Sequence, residues 1–219
     1  MELYDYMIGN SNKFPEVPLV SVNEAIIGDP FPQSPSDPET DRMIRRQDVI
    51  EELRRTNLTP ELQSVMFGNI EIETGGSFDI NQVERLMEGV TRDPGIGLFQ
   101  KTGPTLENYR GYLGEDPSSV QKEISYYTDA FQNPNSKEGK YLGSGYMQDY
   151  QAFMQGKPSA FRKHSGSGTA KVYEPTLEGI NEHFVNFMMN PLESARKATM
   201  KKRLKAAQNA YDTIFAPKK

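Results

Sequence analysis

The chain has 219 residues, of which 36% are hydrophobic, and 25 lysines and arginines against 30 aspartates and glutamates give it a net charge of −5. With glycine counted and tyrosine left out, the apolar fraction is about 39%, below the usual ~45–50% of globular domains, so part of the chain should lie outside the core. The acidic balance argues against a nucleic-acid-binding protein. No run approaches ~20 apolar residues and no basic, apolar leader opens the chain, so we expect neither membrane insertion nor a secretory signal.

The rarest residue types exclude whole classes of chemistry. The chain has no cysteine and only two histidines, His164 and His183, neither of which stands in a metal-binding motif. Disulfides, a thiolate nucleophile and a zinc site built from His and Cys are therefore not expected. A Ser-His-Asp triad would have to use one of these two histidines, and no GxSxG motif accompanies either. Any catalytic chemistry should rest on carboxylates, with no metal and no cofactor.

Residues 1–37 differ in composition from the rest of the chain. They carry five prolines and six acidic residues against a single basic residue, Lys13. Because proline lacks a backbone donor and restricts the residue before it, the segment predicts an extended acidic arm. A fully disordered tail is the alternative. Two short apolar pieces, at 17–20 and 25–27, would let such an arm dock on a partner or on the body of the protein.

A charged helix is predicted over residues 38–57, linking the arm to the body. Asp37-Pro38-Glu39 combines an N-cap acid, proline at the first helical position and an acid in the first turn. A narrow apolar stripe runs along this helix: Met43, Ile44, Ile50 and Leu53.

The remainder, residues 58–219, is predicted to form one mainly helical domain. Thr59-Pro60-Glu61 opens a second helix that runs to about Glu73 and is closed by Gly75-Gly76. Residues 75–97, rich in Gly, Asp and Asn, predict a loop, a short hairpin or a single helical turn. Apolar spacing predicts further helices from residue 116, around 146–154, and at 175–189 and 191–215, with a Ser/Gly loop at 166–168.

One acid of the second helix falls on that helix's apolar face. At ~100° per residue, Glu73 lies about 20° from Leu62, whereas Glu71 points the opposite way. Desolvation and the negative helix end both disfavour the charged form of a carboxyl placed there, so the pattern predicts a general acid. The alternatives are that the helix frays and Glu73 turns to water, or that an arginine neutralises it.

Residues 68–79 (GNIEIETGGSFD), followed by Gly97-Leu98-Phe99-Gln100, resemble the phage tail lysozyme family of the lysozyme-like superfamily. In that family a helix ends in a GNI…ES/TG sequence that carries the catalytic glutamate, and a GxGLFQ segment follows. Glu73 matches the glutamate, and Gln100 matches a glutamine that lines the substrate cleft. The resemblance covers roughly residues 55–215 and implies an α+β lysozyme-like fold that is mainly α, with a small loop or hairpin region after the catalytic helix. The sequence departs from the family pattern at Lys101-Thr102-Gly103, where an aromatic residue is commoner in the family.

The second carboxylate of such an enzyme stays open. An inverting enzyme uses it to activate water and a retaining enzyme uses it as a nucleophile, whereas a lytic transglycosylase needs none because the sugar's own 6-hydroxyl attacks. We favour Asp79 because it stands closest to the end of the helix, and a turn-forming or solvated role is the alternative for each candidate. The candidates between the two motif halves are Asp79, Glu84, Glu88 and Asp93.

Four further residues are predicted to bind substrate. Gln100 would hydrogen-bond an N-acetyl group and Phe99 would contact a sugar face, unless Phe99 belongs to the core. By resemblance, Tyr173 and Glu174 would line the opposite wall, although Glu174 also suits the start of a helix before Pro175.

The helical spacing of the tyrosines favours a core role over sugar stacking for these residues. The basic residues of the last helix, Arg196, Lys197, Lys201, Lys202, Arg203 and Lys205, favour a solvated face.

The resemblance implies a muramidase that cleaves the β-1,4 bond between N-acetylmuramic acid and N-acetylglucosamine in peptidoglycan glycan strands. It further implies a phage virion protein, made in the host cytoplasm, that acts on the bacterial cell wall and periplasm during genome delivery. The N-terminal arm would then bind other virion or tail proteins. The alternative from another class is an inactive structural tail component with a lysozyme-like body.

Overall fold

The computed structural model describes residues 37–83, 94–102, 104–114, 119–157, 164–166, 169–171, 174–189 and 193–217. These residues are mainly helical, which confirms the predicted fold class at that level. The predicted arm lies outside the described residues. Within the described part, no helix is both long and apolar enough to cross a bilayer.

Eight α-helices and one short hairpin are described. The helices are α1 Pro38–Arg55, α2 Pro60–Glu73, α3 Pro104–Leu113, α4 Val120–Gln132, α5 Lys137–Leu142, α6 Ser144–Met154, α7 Leu177–His183 and α8 Glu193–Ala210. Strands β1 (His164–Gly166) and β2 (Thr169–Lys171) pair antiparallel, with His164 opposite Lys171. Helices α7 and α8 each continue into a π-helical turn, Phe184–Met189 and Tyr211–Phe215.

Helix α1 belongs to the body rather than to a linking segment. Residues Asp37–Lys219 form one compact unit, so the body begins at residue 37 and not at 58. Val49, Ile50 and Leu53 of α1 are buried in the same core as the other helices. The predicted stripe holds only for this second half of the helix, because Met43 and Ile44 are exposed.

Helix α2 lies at the centre of the body. The Thr59 hydroxyl caps it by accepting from the backbone N–H of Leu62, and every residue from 62 to 70 is buried. Since the helix is buried all round, its burial pattern is that of a core helix and not the one-sided stripe that the sequence predicts.

The end of α2 is where the sequence places it. Gly75 adopts φ +58, its N–H donates to Ile72 O at 3.3 Å, and the N–H of Gly76 donates to Glu71 O at 2.8 Å. This pair of bonds is a Schellman motif, which needs a residue with positive φ and therefore favours glycine. The motif ends the helix directly after Glu73 and fixes the direction of the chain beyond it.

Helices α2 and α8 approach closely at Gly68. A Cβ placed on Gly68 would lie 2.5 Å from the backbone nitrogen of Ala207. Glycine at this position therefore lets the two backbones meet. This contact sets how closely α8 packs against the C-terminal half of α2. It therefore positions the side chains of α8 that point toward Glu73.

Several elements differ from the prediction. Helix α5 has six residues, too few for apolar periodicity to show, and it depends on Ser136 accepting from the N–H of Gly139 at 2.9 Å. Helix α3 is not predicted, and the two π-helical turns break the 3.6-residue repeat on which the prediction of long helices relied. Gly166 lies in strand β1 and not in the predicted loop.

Candidate active site

Glu73 faces the interior at the end of α2. Its side chain is 19% exposed, and its Oε1 accepts a hydrogen bond of 2.6 Å from Nη2 of Arg203 in α8. The helix does not fray before Thr74, whose own side chain bonds Ile70 O. The alternative that an arginine neutralises this carboxyl is therefore the one observed.

Arg203 is itself held on three sides. Its side chain is 4% exposed, Nη1 donates to Asn69 Oδ1 at 2.9 Å and Nε donates to Thr199 Oγ1 at 3.0 Å. The Asn69 amide donates to Val65 O at 2.8 Å and to Asn181 Oδ1 in α7 at 3.2 Å. Glu73 is thus the outermost member of a buried polar network that joins α2, α7 and α8.

Lys101 is a second buried basic side chain near Glu73. It is 3% exposed, its Nζ donates to Met188 O at 2.5 Å, and the same nitrogen lies 5.0 Å from the ring centroid of Tyr127. Burial lowers the pKa of Lys101 to about 7, and the negative charge of Glu73 partly opposes this fall. The sequence shows Lys101 only as a polar departure from the family motif.

Glu123 fixes the turn that carries the second motif. It is 1% exposed in α4, and its Oε2 accepts from the backbone N–H of Leu98 at 2.5 Å. The turn adopts φ +72 at Gly97 and closes with paired backbone bonds between Ile96 and Lys101. A buried carboxylate in direct contact with backbone N–H thus anchors the GLFQ segment in the core.

Gln100 uses its amide group within this turn. It adopts φ +45, and its Nε2 donates to Gly97 O at 2.7 Å and to Gln82 O at 3.2 Å. Both amide protons are therefore committed to the backbone. Contact between Gln100 and an N-acetyl group stays a prediction. Within the side-chain amide, the carbonyl oxygen Oε1 is the atom that remains available for it.

Phe99 does not line a cleft. It is 1% exposed, and its ring centroid lies 4.4 Å from that of Tyr127 and 6.4 Å from that of Phe184. The prediction that Phe99 contacts a sugar face is corrected, because a ring enclosed by core aromatics presents no surface to a ligand. Tyr126, Tyr127 and Tyr150 are buried as well, in line with the favoured core role of the tyrosines, whereas Tyr141 is exposed.

Asp79 lies in the turn that follows α2. Its Oδ1 accepts from the N–H of Asn81 at 2.9 Å, and its own N–H donates to Ser77 Oγ at 3.3 Å. This geometry is an Asx turn, which was the alternative to a catalytic role. The second oxygen, Oδ2, is not used in that turn, so the role of Asp79 as the supporting acid stays a prediction.

The other predicted residues are divided between described and undescribed parts of the chain. Glu84, Glu88, Asp93 and Tyr173 lie outside the described residues. Glu174 is exposed, and its backbone packs so closely on Gly179 that a Cβ there would lie 2.1 Å from Glu174 O. A role of Glu174 on the wall of a cleft stays a prediction.

Sequence reasoning missed Arg203, which it placed on the solvated face of the last helix. That interpretation is confirmed for the exposed Lys197, Lys201, Lys202 and Lys205, but Arg203 is buried. A signal was present: Arg203 stands four residues before Ala207 and seven before Ala210, so it shares a helix face with small residues rather than with the lysines.

A groove of about 550 Å³ lies on the outer side of α8, and Glu73 does not line it. Its lining residues are Glu178, Lys201, Leu204, Lys205, Gln208, Asn209 and Asp212. Over the described ranges, no three His, Asp or Glu side chains are grouped to hold a metal ion. The chemistry available at the end of α2 is therefore that of one oriented carboxylate beside two buried basic side chains, Arg203 and Lys101.

No family model, curated protein or solved structure matches the chain.

Proposed function

We propose that the chain is a lysozyme-type glycosidase that cleaves the β-1,4 bond between N-acetylmuramic acid and N-acetylglucosamine in peptidoglycan. The observation that carries the proposal is Glu73, a carboxylate at the end of a buried helix with one oxygen on a buried arginine and 19% of its side chain open to solvent. A group held in this way has a fixed direction and can still be reached by substrate. The resemblance of residues 68–79 to the motif of tail lysozymes adds to this.

Glu73 would act as acid and then as base. In the described part of the chain, Arg203 bonds Oε1 and no hydrogen bond reaches Oε2, so Oε2 is the oxygen available to the glycosidic bond. As acid it would donate its proton to the leaving group, and as base it would take a proton from the attacking group. The α+β lysozyme-like arrangement of the cleft is part of this proposal.

The site would serve a phage virion protein. In this proposal the protein is made in the host cytoplasm, is carried in the particle and opens the cell wall during genome delivery. The acidic, proline-rich segment 1–37 would bind other virion or tail proteins, since it carries none of the proposed catalytic residues.

The test uses the purified full chain and bacterial peptidoglycan sacculi, with release of muropeptides as the readout. We expect release by the wild type and a loss of at least ~100-fold in Glu73→Gln, with an unchanged circular dichroism spectrum. Glu71→Gln is the matched control, because it makes the same change on the same helix away from Arg203. Absence of release by the wild type from about pH 4 to about pH 8 would refute the proposal.

Analysis of the released products distinguishes hydrolysis from the lytic transglycosylase route. Hydrolysis leaves a reducing end, whereas attack by the 6-hydroxyl leaves an anhydro sugar and needs no second carboxylate. Mass spectrometry of the released muropeptides distinguishes the two, because an anhydro product lacks one molecule of water.

One observation favours a second candidate, an inactive structural tail component with a lysozyme-like body. A carboxylate bonded to a buried arginine also fits a purely structural ion pair. In that case sacculi stay intact at every pH, and Glu73→Gln lowers the free energy of unfolding because it leaves the guanidinium without its counter-charge. The sacculus assay and a urea unfolding curve, measured on the same two proteins, separate the candidates.

A further inference from the structure

We propose that Arg203 is the positioning residue of this site: it holds Glu73 by one oxygen, fixes the direction of the carboxylate and leaves the other oxygen for the substrate. This inference rests on the proposed function of Glu73. It assigns a role to a residue of the last helix, 130 positions from the glutamate along the chain.

The guanidinium bridges one turn of α2. Asn69 and Glu73 stand four residues apart and therefore share a face of that helix. Nη1 of Arg203 bonds Asn69 Oδ1 and Nη2 bonds Glu73 Oε1, so the planar fork spans both side chains at once. A lysine has a single nitrogen and cannot reproduce this arrangement.

The hydrogen bonds of Arg203 keep its side chain from moving when substrate binds. Its Nε is bonded to Thr199, and its partner Asn69 is fully buried and fixed by two further bonds, to Val65 O and Asn181 Oδ1. Release of Arg203 would break three hydrogen bonds in a site that is nearly closed to water. The guanidinium therefore has a fixed position, and it orients the Glu73 carboxylate from there.

Three titratable or charged groups of the described residues act on Glu73: Arg203 from α8, Lys101 from the GLFQ turn and Tyr127 from α4. Lys101 bonds Met188 O instead of the carboxylate. Burial raises the pKa of Tyr127 well above its usual value, which keeps the phenol neutral. Arg203 is thus the charge in direct contact with Glu73, and its removal should change the orientation of the carboxylate most.

The first test is the split between kcat and KM in muropeptide release. Arg203→Met keeps most of the bulk and removes the fork, and we expect kcat to fall at least ~tenfold while KM changes little, because the carboxylate is no longer held in one direction. Arg203→Lys keeps the charge and loses the fork, so we expect kcat to fall about tenfold as well. Lys202→Met, which changes the neighbouring exposed lysine, should change neither kcat nor KM.

Two outcomes of this assay contradict the proposal. A loss of stability in Arg203→Met with wild-type kcat per folded molecule would make Arg203 a structural residue only. Wild-type kcat in Arg203→Lys would show that the fork positions nothing. Should Arg203→Met fail to fold, the lysine variant still decides the second point.

The second test does not require catalysis. The mobility of the Glu73 side chain, whose NMR signals are assigned by their loss in Glu73→Gln, is measured by NMR relaxation in the wild type, Arg203→Met and Lys202→Met. We expect the side chain to become more mobile in Arg203→Met alone. Unchanged mobility in a folded Arg203→Met overturns the inference, whereas increased mobility in a protein that never cuts sacculi overturns only the proposed function.

Discussion

Gly97 lies directly against the carboxylate of Glu123: a Cβ at position 97 would lie 2.7 Å from both of the carboxylate oxygens. The glycine adopts φ +72, and the same carboxylate bonds the N–H of Leu98. Two independent constraints, a backbone conformation that L-residues avoid and a contact with no room for a methyl group, thus require glycine here. The relationship ties the GLFQ motif to a buried acid in α4.

Gly97→Ala should therefore destabilise the protein, by roughly 1–3 kcal/mol for the backbone alone, with more from the displaced carboxylate. Urea unfolding followed by circular dichroism measures the change. Gly145→Ala is the matched control, because a Cβ there meets nothing within 4 Å and alanine is the better helix former at the start of α6. Equal stability of the two variants would contradict this account of the turn.

Local signals in the sequence predict the ends of α2 well. Thr59 and Gly75 act through bonds to residues within five positions, so their effect can be read without knowledge of the rest of the fold. The inward direction of Glu73 is also predicted, because helix geometry places this residue on the same side of the helix as the buried Leu62.

Long-range packing explains what the sequence does not show. Phe99 and Lys101 stand in one short motif, and only the position of α4 and of the π-helical turn 184–189 decides that both are buried. The bond from Arg203 to Glu73 depends on how closely α8 meets α2, which a single glycine, Gly68, controls. Neither fact is contained in apolar spacing or in a local motif.

Gly68→Ala should separate α2 from α8. Alanine normally stabilises a helix interior by roughly 0.5–1 kcal/mol relative to glycine, but here the added methyl would lie 2.5 Å from a backbone nitrogen of α8. We expect the sign to reverse and the protein to lose roughly 1–3 kcal/mol of stability, because backbone atoms cannot move aside as a flexible side chain would. Thermal unfolding checks this, and a Tm at or above that of the wild type would contradict it.

Asp79→Asn tests the second carboxylate without disturbing the turn. The amide oxygen of asparagine can accept the same bond from the N–H of Asn81, so stability should change little while the charge is lost. If Asp79 is the supporting acid, as its place in the chain predicts, muropeptide release should fall by at least ~100-fold. Undiminished release by the folded variant would exclude Asp79 from the chemistry and leave Glu84, Glu88, Asp93 or the route through the 6-hydroxyl.

Lys101 should make the stability of the protein depend on pH in a defined window. Burial lowers its pKa from 10.5 to about 7, so between these values the unfolded chain binds a proton that the folded chain lacks. The free energy of unfolding should then rise with pH across this window, by up to about 1.4 kcal/mol per unit, and the contribution should vanish below about pH 7, where both states are protonated.

Lys101→Met should remove this dependence, because methionine fills a similar volume and does not titrate. The variant loses the bond to Met188 O and the contact with Tyr127, so its stability at alkaline pH should lie below that of the wild type. The control is Lys205→Met, which removes an exposed lysine of α8 and should leave the slope unchanged. Urea unfolding at intervals of about one pH unit from about pH 6 to about pH 10 gives the slopes. Parallel curves for the wild type and Lys101→Met would mean that the buried ammonium keeps its proton throughout, held by Glu73 and the carbonyl of Met188.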